Sequence, residues 1–250
     1  MYKILIISIL LLLILYRRKD KFENKNSNLD NVLNIIRYVK ESGKPYSGKH
    51  IDIGYHSIEL DNKYYRGQRD CVKRLEFCKK EYDFTNKNVL DIGCCIGGML
   101  FPLASTINSA CGIDFNYRDI NAGNAIKQYK NIDNISFYVF DLDKEKLEFI
   151  KNFIQKIDVV FLFAVCVWVK NWKGLIDFIS LNSKVLFIET HGTQFQQQEQ
   201  LDYCKLKFSK VKTIYEKSVD DKFNRKLFIC KNLILKKSFF IIKWDLELPK

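Results

Sequence analysis

Residues 88–100 read NVLDIGCCIGGML. Val89–Ile92 is a short apolar run of strand type, and Gly93, Gly97 and Gly98 punctuate the segment immediately after it. A strand entering a glycine-bearing turn that opens a helix is the ligand-binding corner of an open α/β sheet, where backbone must approach ligand closely. The same alternation continues downstream. Strands are expected at 110–115, 135–140, 159–164 and 185–189, with helices at 98–106, 117–129, 144–157, from Trp172 on, and at 193–205. Upstream, apolar positions at Leu29, Val32, Leu33, Ile36 and Val39 have helical period, as do Val72, Leu75, Cys78 and Tyr82. Residues 211–216 and 226–230 read as two closing strands. The gap between them is too short for a crossover helix, so they should pair antiparallel. The expected fold is therefore α/β: a doubly wound, mostly parallel seven-stranded sheet with an antiparallel last strand, preceded by an N-terminal hydrophobic helix.

The 250 residues suffice for one sizeable domain, and a hydrophobic fraction of 47% excludes wholesale disorder. The expected organisation is an anchor at 1–19, a linker and lead-in at 20–69, the catalytic domain at 70–232 and a basic, aromatic tail at 233–250. Ile4–Tyr16 is apolar apart from Ser8, and Arg17, Arg18 and Lys19 come directly after it. This reads as a short membrane anchor rather than a cleaved signal, because no small-residue cleavage site is present beyond it. Its basic flank would leave the domain facing the cytoplasm as a single-pass protein. Eight cysteines form no CxxC pair and there are three histidines, so neither a zinc site nor a disulfide framework is indicated. The net charge of +12 is spread along the chain rather than gathered in a block. Nucleic acid remains an open partner class but not the favoured one.

The chemistry is read from strand ends. Asp91 lies two residues before Gly93, where a carboxylate suits a ligand ammonium better than a phosphate. The dinucleotide pattern G-x-G-x-x-G fails at its middle position, which is Cys95, and the Gly-Lys-Ser/Thr that a P-loop requires is absent. Asp114 ends the second strand, 21 residues after Gly93, where it can accept from both hydroxyls of a ribose. Asp141 ends the third and can reach an adenine amine, with Leu142 packing on the ring.

These motifs resemble class I S-adenosylmethionine-dependent methyltransferases. The resemblance covers segment 88–189 and implies S-adenosylmethionine as cofactor, held at Asp91, Gly93, Gly97, Asp114 and Asp141. Cys95 departs from the family, which more often has glycine there. The upstream YYRGQRD (64–70) is similar to lead-ins of some members, in which Gln68 or Arg69 would meet the cofactor carboxylate. The segment FAVCVWVKNW (163–172) falls where the family places substrate contacts, and it lacks the Asn/Asp-Pro-Pro-Tyr/Phe signature of amine methylation. Within it Trp168 is either an apolar wall or packing, and Cys166 either a nucleophile or a core thiol. His191 and Glu189, in FIETHG (187–192), are the candidate bases for a hydroxyl acceptor. The expected acceptor is a small molecule, sugar or lipid-linked hydroxyl near a membrane. An RNA methyltransferase and an inactive cofactor-binding scaffold are the alternatives.

Overall fold

The computed structural model describes residues 29–42, 52–218 and 224–232. The elements are α1 (Leu29–Ser42), β1 (Ile58–Leu60), β2 (Lys63–Tyr65), α2 (Cys71–Glu81), β3 (Asn88–Ile92), β4 (Ser109–Asp114), α3 (Tyr117–Tyr129), β5 (Ile135–Val139), α4 (Ile150–Phe153), β6 (Val159–Phe163), α5 (Trp172–Asn182), β7 (Val185–Glu189), α6 (Gln194–Lys207), β8 (Lys210–Tyr215) and β9 (Leu227–Lys231). Seven strands form one sheet in the order β5-β4-β3-β6-β7-β9-β8. β3 to β7 are parallel, and β9 runs antiparallel between β7 and the edge strand β8. The expected doubly wound sheet and its closing antiparallel pair are both present.

Parallel strands covered on both faces must be apolar throughout, and β3 and β7 are buried at every position. Alternate residues divide between two cores. Val89, Phe161, Phe187 and Ile229 pack with residues of α1 and α2 on one face. Leu90, Val160, Leu186 and Phe228 pack with α4 and α5 on the other. Helix starts are fixed by side chains: Asp70, Asn116 and Asn171 each accept from a backbone N–H of the next turn, and Thr193 with Gln196 forms a capping box.

Three local expectations differ from the structure. The expected helix over 98–106 is instead turns around a 3₁₀ segment, Phe101–Leu103, because Pro102 has no N–H and comes soon after two glycines. The expected helix over 144–157 shrinks to a 3₁₀ turn and α4. Its first N–H groups, on Lys144 and Glu145, are taken by the Asp141 carbonyl in a separate turn. Within the expected lead-in, β1 and β2 form a hairpin whose Asp61 and Asn62 both have positive φ, the twist that suits a two-residue turn.

Among the described residues no helix is long and apolar enough to cross a membrane. The expectation of a single-pass membrane protein with a cytoplasm-facing domain is corrected on that finding. The run at 4–16 lies outside the described residues, as do residues 20–28, 43–51 and 233–250 with Asp220 and Asp221. A helix of thirteen residues reaches about 20 Å, well short of the roughly 30 Å hydrocarbon core.

Gly112, in the middle of β4, is a packing requirement. A Cβ there would stand 2.6 Å from Phe137 and 2.8 Å from the Cys94 sulfur. Gly112→Ala should destabilise the fold by about 1–3 kcal/mol, read from the urea midpoint; an unchanged midpoint would mean that the ring and the thiol can both give way.

Candidate active site

The sheet reverses its winding at β3, which has β4 on one side and β6 on the other, so a crevice opens at the carboxyl end of β3. Gly93, Cys95 and Gly97 fill that end with φ of 75°, 51° and 84°. The N–H groups of Gly93 and Cys94 both donate to the Ile113 carbonyl, at 2.8 and 3.1 Å, which fastens the loop to β4. A Cβ on Gly97 would collide with the Phe137 ring at 2.4 Å, so this glycine is required by packing as well as by φ.

Cys95 is a left-handed residue with a side chain, at a cost of roughly 1–2 kcal/mol. A closed ring of hydrogen bonds holds it. Its N–H donates to Asp114 Oδ2 at 2.9 Å and its thiol to Asp119 Oδ1 at 3.5 Å. Asn116 closes the ring, donating from Nδ2 to Asp119 Oδ2 at 2.5 Å and from its backbone N–H to Asp114 Oδ1 at 2.9 Å. Asp119 was not singled out from sequence, although an acid three residues after the N-cap Asn116 was a usable signal. Burial, with Asp114 close by, pushes its carboxyl up to about 6.

Asp91, Asp114 and Asp141 sit at or just past the ends of three adjacent strands, with Asp91 opposite Gly112 and Asp114 opposite Val139. Their surroundings differ. Asp91 is buried, and its Oδ2 has no hydrogen-bond partner among the described residues. Burial, helped by Asp114 and opposed by Arg74, pushes it up to about 8. Asp114 is also raised by burial, against three backbone N–H groups that favour its charge. Asp141 is lowered, first by Lys144 at 2.8 Å and then by the N–H of Asp143. Leu142 packs against the second core from the same turn.

Glu189 and Arg69 need correction. Both are fully buried, and they bind each other at 2.7 Å. Glu189 also takes Arg74 at 2.8 Å, the Tyr215 hydroxyl at 2.6 Å and, more distantly, Arg225 at 3.5 Å. A carboxylate so engaged is the centre of a structural network rather than a base open to a substrate. Arg69 turns inward to Glu189 and to Ser218 at 3.2 Å, and both contacts are made by its Nη2. Its neighbour Gln68 is half-buried beside it, with its N–H on the Gly54 carbonyl. Sequence spacing alone does not bring Arg74, Tyr215 and Arg225 together.

Past β6 and β7 the edge changes character. Ala164 has φ of 60°, a strained value of the kind found beside functional sites. The exposed Trp168 ring lies 6.0 Å from the His191 ring. Arg225 Nη2 lies 3.4 Å from His191 Nε2, and its Nη1 donates to the Tyr55 hydroxyl at 3.2 Å. A guanidinium only donates, so this contact is a hydrogen bond only in the tautomer whose Nε2 accepts. Cys166 is buried among the residues of the second core, and burial raises its thiol far above the ordinary range, which disfavours the thiolate that a nucleophile needs.

A family model described as "Methyltransferase domain" matches residues 63–218, more than half of the chain. The chain belongs to this family. Its enzyme class is S-adenosylmethionine-dependent methyltransferase. Among solved structures it is similar to the N-terminal domain of EvdMO1, crystallised in the presence of SAH and D-fucose. The identity is 12% and the TM-score 0.60, over 84% of this chain and 99% of that one. It spans 49% of the longer EvdMO1 chain, at a TM-score of 0.58 and 14% identity. It is also similar to WbdD, crystallised with the kinase inhibitor LY294002, at 18% identity and a TM-score of 0.54, over 66% of this chain and 42% of that one. At these identities the likeness is one of fold. No curated protein matches the sequence.

The methyltransferase site suits its cofactor on its own terms. A buried carboxyl oxygen with no hydrogen-bond partner among the described residues, a left-handed glycine loop and a second acid on the next strand fit an ammonium and a ribose. Asp91 also yields a pH test. Its folded value near 8 exceeds the ordinary carboxyl value, so the folded state binds an extra proton between about pH 4 and 8 and loses stability as pH rises through that window. A bound ammonium reverses the preference and expels the proton. Calorimetry with S-adenosylhomocysteine (SAH) in buffers of different ionisation heat should show proton release between pH 6 and 8, abolished by Asp91→Asn. Equal release in both proteins would remove Asp91 from the site.

The Glu189 network makes a different prediction. Glu189→Ala should cost about 3–5 kcal/mol, seen as a lower melting temperature or loss of folded protein, because it strands buried guanidinium groups. An unaltered melting temperature with lost activity would instead make Glu189 the base.

Proposed function

We propose that this methyltransferase methylates a hydroxyl group of a small-molecule acceptor, with a sugar as the favoured class. The observation that carries the reading is the exposed Trp168 ring beside His191, past the carboxyl ends of β6 and β7 and in the segment whose Val165 lies against Gly93 of the glycine loop. An exposed indole face is suited to the C–H face of a sugar ring, with a base at its edge to take the hydroxyl proton. The EvdMO1 domain crystallised in the presence of D-fucose is compatible with that class.

In this reading Asp91 receives the cofactor ammonium, Asp114 the ribose hydroxyls, and Asp141 with Leu142 the adenine. Gln68 takes over the carboxylate contact that Arg69 does not make. Bound S-adenosylmethionine supplies an electrophilic methyl group on a sulfonium. The chain's own work is to align the acceptor oxygen, exclude water and accept one proton. Nε2 of His191 accepts that proton after exchanging its long contact with Arg225 for the acceptor hydroxyl. Arg225 stays anchored by Glu189 and Tyr55 during the exchange.

The experiment is a screen of sugars and other hydroxylated small molecules with a radiolabelled methyl donor, and then His191→Ala on the best acceptor. The variant should bind SAH as well as the parent and lose roughly 10²- to 10⁴-fold in kcat. Full turnover by the variant would sink the assignment of His191.

A further inference from the structure

The loop after β3 contains one residue that the cofactor assignments leave without a role. Cys95 stands where the family more often has glycine. Its backbone shows why glycine suits the position. The Gly97 N–H donates to the Cys94 carbonyl at 2.9 Å, closing a turn in which Cys95 is the first central residue, with φ of 51°. A positive φ at that place is ordinarily supplied by glycine, asparagine or aspartate, which either lack a Cβ or bond to their own backbone. Cysteine does neither, so its left-handed conformation has to be held from outside the turn.

The group that holds it is on α3. Asp119 and Gly123 lie one turn apart on that helix, on the face that meets the loop: a Cβ on Gly123 would stand 3.3 Å from the Ile96 carbonyl. Asp119 and Cys95 are both buried. Asp119 Oδ1 accepts from the Cys95 thiol at 3.5 Å, and its Oδ2 accepts from Asn116 Nδ2 at 2.5 Å. The first turn of a helix favours a negative charge, which helps an acid that burial and Asp114 oppose. From its other end Cys95 donates its N–H to Asp114 Oδ2 at 2.9 Å. Cys95 therefore joins the acid that ends β4 to the acid in the first turn of α3.

We propose that Asp119 is a positioning residue for cofactor binding: by holding the Cys95 side chain it keeps the left-handed loop, and the Cys95 N–H, in place on Asp114. The proposal rests on the reading in which Asp114 receives the ribose hydroxyls. A carboxylate that must present lone pairs to two hydroxyls has to be fixed by its other donors, and those of Asp114 include the N–H groups of Cys95 and Asn116. Both donor residues are also bonded to Asp119. Without the acid, Cys95 relaxes toward ordinary backbone, and one of the groups that orient Asp114 is displaced. The requirement exists only because residue 95 has a side chain. Glycine adopts positive φ without that strain, and Asp119 would then have nothing to hold. The two positions should be coupled rather than additive.

The test is a double-mutant cycle on SAH affinity, measured by calorimetry on the full chain at about pH 7.5, above the Asp119 value of about 6. The melting temperature of each ligand-free variant is recorded alongside. Asp119→Ala should weaken SAH binding about tenfold in the parent chain, the scale of a left-handed penalty, and less than about twofold in the Cys95→Gly background. Cys95→Ala keeps the Cβ and removes the thiol, so it should bind SAH about tenfold more weakly than Cys95→Gly. That comparison decides the matter if Asp119→Ala does not fold. Equal weakening by Asp119→Ala in both backgrounds would place its effect outside Cys95 and overturn the proposal. So would a lower melting temperature with undiminished SAH affinity, or equal affinities of Cys95→Ala and Cys95→Gly. Asp114→Ala is measured separately, and SAH affinity unchanged by it would instead remove the ribose reading beneath the proposal.

Discussion

A single carboxylate, that of Glu189, organises the β7–β9 side of the sheet. It is fully buried, and Arg69, Arg74 and Arg225 converge on it together with the Tyr215 hydroxyl. These groups come from the lead-in, α2, the approach to β9 and the end of β8. Glu189 thus ties together parts of the chain up to 120 residues apart. Even its backbone contributes, since its carbonyl accepts from Ala164 and fixes the turn that leads to Trp168. A charge removed from water is tolerable only when its partners are complete, so each of these elements constrains the position of the others. Arg225, held by this network, in turn meets His191 and Tyr55.

The β3–β5 side is governed by backbone geometry. Three residues of the loop after β3 adopt left-handed φ, and one of them, Cys95, carries a side chain. The Asp114–Cys95–Asp119–Asn116 ring offsets that strain and, in doing so, crowds carboxyl groups together. The crowding contributes to the raised values of Asp91 and Asp119. Sites that break a local rule under such constraint are commonly those that bind.

This contrast explains what could be read from sequence. The order and type of the strands from β3 to β9 derive from apolar runs and short spacings, which are local signals. The three acids at strand ends were legible for the same reason, since each sits a fixed step from a glycine or from the end of an apolar run. Glu189 presented the same local pattern as Asp114, an acid closing a strand. Only its distant arginine partners distinguish a structural carboxylate from one facing a ligand, and no spacing rule brings Arg69 to residue 189. The hairpin β1–β2 was missed because its strands are three residues each, too short for alternation to register. The helix expected after the glycine loop failed because Pro102 overrides periodicity there.

Charge is also divided along the carboxyl edge. Asp91, Asp114, Asp119 and Asp141 gather at β3 to β5 and the start of α3, whereas Arg69, Arg74 and Arg225 gather at β7 to β9. The guanidinium groups are engaged where they stand, since Arg69 and Arg74 bind the buried Glu189 at 2.7 and 2.8 Å and Arg225 lies 3.5 Å from it. Methyl transfer consumes the donor's positive charge, so its transition state needs no strong new charge stabilised at the carbon; it needs two reactants brought to a fixed line. Trp168 and His191 lie where the two regions meet, past the ends of β6 and β7, the position at which the proposed acceptor oxygen would meet the donor.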